Sequence, residues 1–166
     1  MNIHFCPVCG TKLHLKEQPH EATALYCDSC EEYRFPIFSI AVAVTILDTA
    51  RENMILIRQY SEPDPVLVAG YIDKGETAED AVIREVKEEL GMTVQSLSFL
   101  RSRYYALTET LMLHYAATVA EQTAVPNWEV DSWEWVSVEN ALALVRPSGL
   151  AETFLKDYEQ YRKRGT

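Results

Sequence analysis

The chain has 166 residues, room for one ordinary domain and a small appendage, and its 48% hydrophobic content is enough for a real core. A net charge of −10 argues against broad electrostatic binding to nucleic acid. The longest clean apolar run, Ile40 to Leu47, contains Thr45 and is far short of the about 20 residues that span a bilayer; with no signal-peptide pattern at the start, a soluble cytoplasmic protein is expected.

In chain order, Cys6-Pro7-Val8-Cys9-Gly10 and Cys27-Asp28-Ser29-Cys30 come first, two CxxC knuckles separated by 17 residues. That interval suits a four-cysteine zinc site, in which each knuckle brings two thiolates to one tetrahedral ion. Four Cys ligands leave no open position, so the Zn²⁺ is expected to be structural. Two disulfides are the alternative, but nothing suggests secretion and cytosolic thiols stay reduced. His4, His14 and His20 are read as surface residues. Lys12, His14, Lys16 and His20 are balanced by Glu17, Glu21, Glu31 and Glu32, so the ribbon has no basic stripe for nucleic acid. A structural or dimer-supporting role fits better. The boundary is set near Arg34 to Ile37, with a ribbon over 1–35 and a second domain over 36–166.

Phe38 to Leu47 reads as a buried strand, with Met54 to Arg58 as its partner across a polar turn. Ser61 to Pro65 is a loop, because its two prolines forbid regular pairing. Val66 to Ala69 is a short strand leading into a helix. Leu97 to Arg101 and Leu111 to Val119 read as strands joined by a Tyr-rich stretch, and Trp133 to Val136 as another. Glu139 to Val145 and Leu150 to Arg162 read as helices around a Pro147-Ser148-Gly149 break. Strands and helices alternate without a strict βαβ rhythm, which predicts an α/β fold with a mixed, helix-covered sheet.

Residues 70 to 92 carry the chemistry. Val82, Val86 and Leu90, widened by Ile83, form an apolar stripe for packing. Thr77 and Asp80 resemble a capping box, and Gly91 suits a left-handed helix end. Gly75 suits a tight loop, and Gly70 lets backbone come close to a metal or phosphate. Glu85, Glu88 and Glu89 fall within an arc of roughly 100°. Two unit charges about 4 Å apart repel by about 4 kcal/mol at an effective dielectric near 20, and a divalent cation relieves that cost. A solvated Glu-rich helix would explain the Glu pairs but not their fixed offsets from Gly70, Glu76 and Arg84. The overall negative charge repels a phosphorylated substrate unless metals and local cations reverse the field; Arg58, Lys74, Arg101, Arg103 and Arg146 are the candidates.

Gly70, Glu76 and Arg84-Glu85-Val86-Lys87-Glu88-Glu89-Leu90-Gly91-Met92 together match Gx5Ex7REUxEExGU, where U is apolar, and so the chain resembles the Nudix hydrolases. The resemblance implies an α/β/α sandwich with a mixed sheet, preceded here by the four-Cys ribbon. It implies Mg²⁺- or Mn²⁺-dependent hydrolysis of a pyrophosphate bond in a nucleoside diphosphate-linked substrate. The metal would be held by Glu85 and Glu89, with Glu88 and the Gly70 carbonyl contributing, while Arg84 and Glu76 fix the loop. A ribbon joined to such a domain looks like the NADH pyrophosphatases, and Ala69-Gly70-Tyr71-Ile72-Asp73-Lys74-Gly75-Glu76-Thr77 is similar to their AGF[VI]ExGET. Their second motif, SQPWPFPxS followed by LM, is degenerate here: Ser102 and Leu111-Met112 match, Tyr105 stands where Trp would, and the Gln, the prolines and the Phe are gone. Tyr71, Tyr104, Tyr105 and Glu109 become the candidate substrate contacts, Tyr104 and Tyr105 either stacking on a base or facing the core. Glu129 resembles the acid of an EIxxxxWF strand entry, an extra metal ligand or base. NAD(H) or ADP-ribose cleaved to mononucleotides, and a homodimer, are the implied substrate and assembly. The alternative is a non-catalytic nucleotide-sensing domain with a regulatory role.

Overall fold

In the computed structural model, which describes residues 4–19 and 21–165 and only the backbone of Glu21, the chain divides into two units between Phe38 and Ser39. His20 lies outside the described residues. The first unit is a three-stranded antiparallel sheet of β1 (His14–Gln18), β2 (Glu21–Cys27) and β3 (Glu32–Arg34), in the order β1-β2-β3. Its core is small: Cys6, Leu13 and Cys27 are buried, with Leu25 and Cys30 packed against them. Tyr33 closes it from outside, its hydroxyl donating to the Glu17 carbonyl at 2.7 Å.

The second unit is built on the apolar run that forms β4 (Ser39–Leu47), seven of whose nine residues are buried. β5 (Asn53–Gln59), β6 (Val68–Tyr71), β7 (Val94–Tyr105), β8 (Thr110–Val119) and β9 (Val130–Ser137) complete a six-stranded sheet in the order β7-β8-β4-β5-β9, with β6 also paired to β4. One edge of β4 runs parallel to β8 along its whole length. Its other edge is divided between β6 and β5, both antiparallel. The sheet is therefore mixed, as expected.

Alternation along β4 sorts its side chains to two cores. Val42, Val44 and Ile46 join Ile55, Ile57 and the apolar face of α1 (Ala78–Leu90). Ala41, Ala43 and Leu47 join Leu56, Met112 and the inner faces of α2 (Val138–Leu144) and α3 (Leu150–Lys163). Helices thus cover both faces, an α/β/α sandwich.

The helix signals read from sequence hold with two changes. Val82, Val86 and Leu90 are fully buried, but Ile83 is 46% exposed and lies outside the stripe. Thr77 caps α1 by accepting the Asp80 N–H at 3.1 Å, and its hydroxyl then donates to Asp80 Oδ2 at 2.6 Å. Asp is a methylene shorter than Glu, so the reciprocal arm of the box closes on the hydroxyl. Gly91 ends the helix at φ 68°, its N–H bonded to the Lys87 carbonyl. Two strand readings also change. Val66 makes only an isolated bridge to Ile57, and β6 starts at Val68 and runs through Tyr71. The Tyr-rich stretch is not a connection: β7 is continuous to Tyr105 and pairs residue by residue with β8.

Candidate active site and metal centre

The ends of β5 and β6, one face of α1 and the start of β8 enclose a cavity of about 550 Å³. Glu85, Glu88, Glu89 and Glu129 all line it, and among the described residues no Lys, Arg or His does. Gly70 supplies the wall opposite Glu85, and a Cβ built there would overlap the Glu85 carboxylate. The glycine is thus required by the seating of Glu85, whatever else approaches its carbonyl.

Arg84 organises the loop before α1. Its Nε and one terminal nitrogen fork onto both oxygens of Glu76, at 2.8 and 3.0 Å, and the same terminal nitrogen donates to the Tyr71 carbonyl at 3.0 Å. The other terminal nitrogen reaches Glu85 at 2.7 Å and Glu88 at 3.2 Å. This fork, with the Asp73 amide, holds the Glu76 carboxyl down at about 2. Both partners are thereby fixed as ions in one geometry.

Glu89 is different. It is 3% exposed, and its Oε2 is buried with no hydrogen-bond partner. Burial pushes its carboxyl up to about 8, and the charges of Glu85, Glu129 and Glu88 add to the shift. Burial also raises Glu85, more than Arg84 lowers it. An orphaned, buried carboxylate oxygen facing three further acids is a hard-oxygen donor set of the kind that Mg²⁺ or Mn²⁺ accepts. The carboxylates do not form a closed cage. Glu88 is 56% exposed, and among the described residues only the cysteines bring three or more ligand atoms within 4.8 Å of one another. Arg84 draws Glu85 and Glu88 toward itself, which leaves Glu89 the most available donor.

Other site expectations fare unevenly. Tyr71 and Tyr105 line the cavity; Tyr104 and Glu109 do not. Alternation along β7 turns Tyr104 away from Tyr105's face, and Glu109 sits at φ 50° in the β7–β8 turn. None of the five expected cations is a wall. Arg58 pairs with Glu134 at 2.9 Å, Arg103 grips Asp157 with two bonds of 2.6 Å, and Arg101 lies 3.4 Å from the same carboxylate. Arg146 lies 4.0 Å from Asp64, and Lys74 is exposed. The cavity adds residues not singled out from sequence: Gln59, Tyr60, Thr108 and Asn127. Asn127 is tied to the helix, its N–H donating to the Glu89 carbonyl at 3.0 Å.

In the first unit the four cysteines converge, none in a disulfide. Sγ separations of 3.9 Å for Cys6–Cys30 and 3.4 Å for Cys9–Cys27 bracket the edge of a tetrahedron with zinc–sulfur bonds of about 2.3 Å, which is about 3.8 Å. Burial pushes the Cys6 thiol up, but the Arg34 side chain and the Cys9 and Val8 amides outweigh it and hold it at about 6. Cys30 is pushed up to about 12, first by its hydrogen bond with Cys9. Four thiol sulfurs this close could all ionise only around a bound cation, and the cluster fits zinc.

Fold and site together define an α/β/α sandwich with an acidic helix at its cavity. Residues 38–156 match the NUDIX domain, and the chain belongs to the Nudix family. It is 30% identical over 152 residues to the NAD-capped RNA hydrolase NudC of Vibrio atlanticus (strain LGP32), an alignment covering 89% of this chain and 54% of that protein. The NudC of Vibrio cholerae is 29% identical over 167 residues, covering 95% and 60%. The chain thus spans little more than half the length of these relatives. Among solved structures, a NUDIX hydrolase from Nitrosomonas europaea superposes with a TM-score of 0.63 at 17% identity, covering 99% of this chain and 94% of that one. The likeness is one of fold.

Proposed function

We propose that the chain is a metal-dependent pyrophosphohydrolase acting on a nucleoside diphosphate-linked substrate of the NAD(H) or ADP-ribose type. The observation that carries this reading is Glu89: a buried carboxylate with an unpartnered oxygen, facing a cavity with three more acids and no cation. Likeness to the NudC relatives supports the NAD-type substrate. Glu85 and Glu89 would hold Mg²⁺ or Mn²⁺, with Glu88 and the Gly70 carbonyl contributing; the ion would neutralise phosphate oxygens and acidify water. Arg84 acts through its partners, fixing Glu76, Glu85 and the Tyr71 backbone. Water attacks one phosphorus, the bridging P–O bond breaks, and a carboxylate of the cluster, Glu129 among the candidates, takes the water's proton. On a dinucleotide the products are two mononucleotides. Tyr71 and Tyr105, walls of the same cavity, would contact the base or nicotinamide.

We assign the ribbon as a structural zinc site and the two units as domains. A homodimer in the cytoplasm is the assembly proposed. Exposed Phe35 and Ile37, 59% and 66% accessible, supply apolar surface for it. Among the described residues no helix is long and apolar enough to cross a membrane. The test is a hydrolysis panel of NADH, NAD⁺, ADP-ribose, dinucleoside polyphosphates and NAD-capped RNA, with Mg²⁺ or Mn²⁺ and products identified. Metal-dependent release of mononucleotide supports the reading. A nucleotide-sensing domain is the second reading, supported by similarity to the NUDIX domain of Shewanella oneidensis NrtR complexed with ADP ribose, TM-score 0.63 at 20% identity over 85% of this chain and 94% of that one. Tight binding without product in the panel would favour it.

A further inference from the structure

Alternation along β3 decides which of its side chains meet the cysteines. Glu32 stands opposite Cys27 and Arg34 opposite Leu25, so both lie on the face that carries the small core. Tyr33 lies on the other face, its ring 4.9 Å from that of Tyr26. Arg34 ends an edge strand, yet its side chain is only 14% exposed. A charge covered to that degree needs partners.

Its guanidinium has them on two sides. Nη1 pairs with the Glu32 carboxylate and reaches the Tyr33 carbonyl at 3.4 Å. Nε donates to Cys6 Sγ at 3.3 Å. Nη2 is buried and has no partner. Nε and Nη2 share one edge of the planar fork, the edge that Arg84 lays on Glu76 and Arg103 lays on Asp157. In the ribbon the same edge meets a sulfur, with one N–H on Cys6 and the other left over. A buried donor without an acceptor is costly. Four thiolates exceed the charge of one Zn²⁺ by two, so a loaded cluster gives this edge an anion to face.

We propose that Arg34 is a positioning residue for the zinc site, its forked edge holding the Cys6 sulfur and offsetting part of the negative charge of the loaded cluster. The inference rests on reading the four cysteines as one zinc site. It makes that site asymmetric: Cys6 takes a charged donor, whereas the side chain beside Cys9 is the neutral Thr11 hydroxyl, at 3.3 Å. Arg34 lies outside both CxxC knuckles, so cysteine spacing does not mark it.

The test uses the full chain loaded with Zn²⁺ or with Co²⁺, beside Arg34→Gln and Arg34→Lys. Competition with a chromogenic chelator should show zinc held about 10–100-fold more weakly in Arg34→Gln. In the Co²⁺ protein the d–d bands should keep their tetrahedral intensity. The thiolate-to-metal charge-transfer band should move to lower energy, because a sulfur relieved of an N–H gives up its electron more readily. Lost packing alone would weaken binding without moving that band. Arg34→Lys keeps the charge and the stem but not the fork, so it should bind zinc with intermediate strength and also show a moved band. Zinc affinity in Arg34→Gln within about twofold of wild type, short of the loss expected of an outer-shell partner, overturns the proposal. So does an unmoved charge-transfer band. If Arg34→Gln takes up no metal, Arg34→Lys decides, and wild-type affinity or an unmoved band there overturns the proposal. A wild-type chain that takes up neither ion would sink the four-thiolate site and this inference with it, whereas a loaded wild type with unaltered variants sinks the role of Arg34 alone.

Discussion

Gly70→Ala tests the seating of Glu85 with one methyl group. The native Gly70 φ lies outside the left-handed region, so alanine meets no backbone strain there. It meets the Glu85 carboxylate. The farther oxygen, Oε2, would stand 2.6 Å from the new Cβ, where ordinary contact begins at 3.4 Å, and Oε1 would overlap outright. The carboxylate must therefore retreat by roughly 1 Å or more, and a misplacement of that size costs about 10²-fold in rate. Glu85 is 12% exposed and bonded to Arg84 at 2.7 Å, so little room is available for the retreat. Losing that bond, or forcing the side chain off its rotamer, costs about 1–3 kcal/mol. At about 2–4 °C per kcal/mol for a chain of this size, melting should fall by less than about 12 °C. The assay pairs thermal melting with NADH hydrolysis and with Mn²⁺ binding followed by electron paramagnetic resonance. Weak Mn²⁺ binding and about 1% turnover in a folded protein are expected. Wild-type turnover in folded Gly70→Ala would refute the role given to Glu85.

Glu89→Gln keeps the volume and replaces a carboxyl that burial raises to about 8 with a permanently neutral amide, so melting without metal should hold or rise while turnover drops by on the order of 10²-fold; undiminished hydrolysis contradicts the metal assignment. His114 is fully buried in the α3-side core, 2.9 Å from Thr45 Oγ1, and burial lowers it to about 4. Its neutral form is the folded one, so this contribution is complete above pH 6.5, falls as pH drops from there to about 4, and levels off below; the whole swing is about 3 kcal/mol. Urea unfolding from pH 7 to 4 should show that slope, and His114→Gln should flatten it; equal slopes refute the assignment. Metal analysis should find one zinc per chain, and none in Cys27→Ser; a full complement in that variant would refute the four-thiolate site.

What could be read from the chain was what is local. The helix carrying the acids has its cap, stripe and stop signal within fifteen residues, and its bounds follow from them. The ribbon follows from cysteine spacing. What could not be read was set by partners distant in sequence. Arg103 looked available for phosphate because Asp157, the residue that takes it, lies 54 positions away on α3. Ile83 looked apolar enough to widen the stripe, yet the helix has finished burying its face at Val82, Val86 and Leu90. β7 ends in Arg103-Tyr104-Tyr105, polar enough to read as a connection, because it is an edge strand paired only to β8. Tyr60 carried no signal, since its left-handed turn lacks the glycine or asparagine that announces one.

The two proposed metal centres stand in opposite relation to folding. Among its described residues the ribbon buries only Cys6, Leu13 and Cys27, two of them proposed ligands, so its core is largely the proposed ligand set and bound zinc would supply its folding free energy. The acidic helix buries Val82, Val86 and Leu90 completely, worth about 1.5–3 kcal/mol each. Repulsion between two carboxylates near 4 Å is about 4 kcal/mol at an effective dielectric near 20. Arg84 already offsets part of it, and a proton on Glu89 removes more. The helix can therefore stay folded with no divalent ion bound, its cavity holding a buried carboxylate whose charge is worth more to a bound cation than to the fold. That is why Gly70 and Arg84 can serve to aim carboxylates rather than to hold the sandwich together.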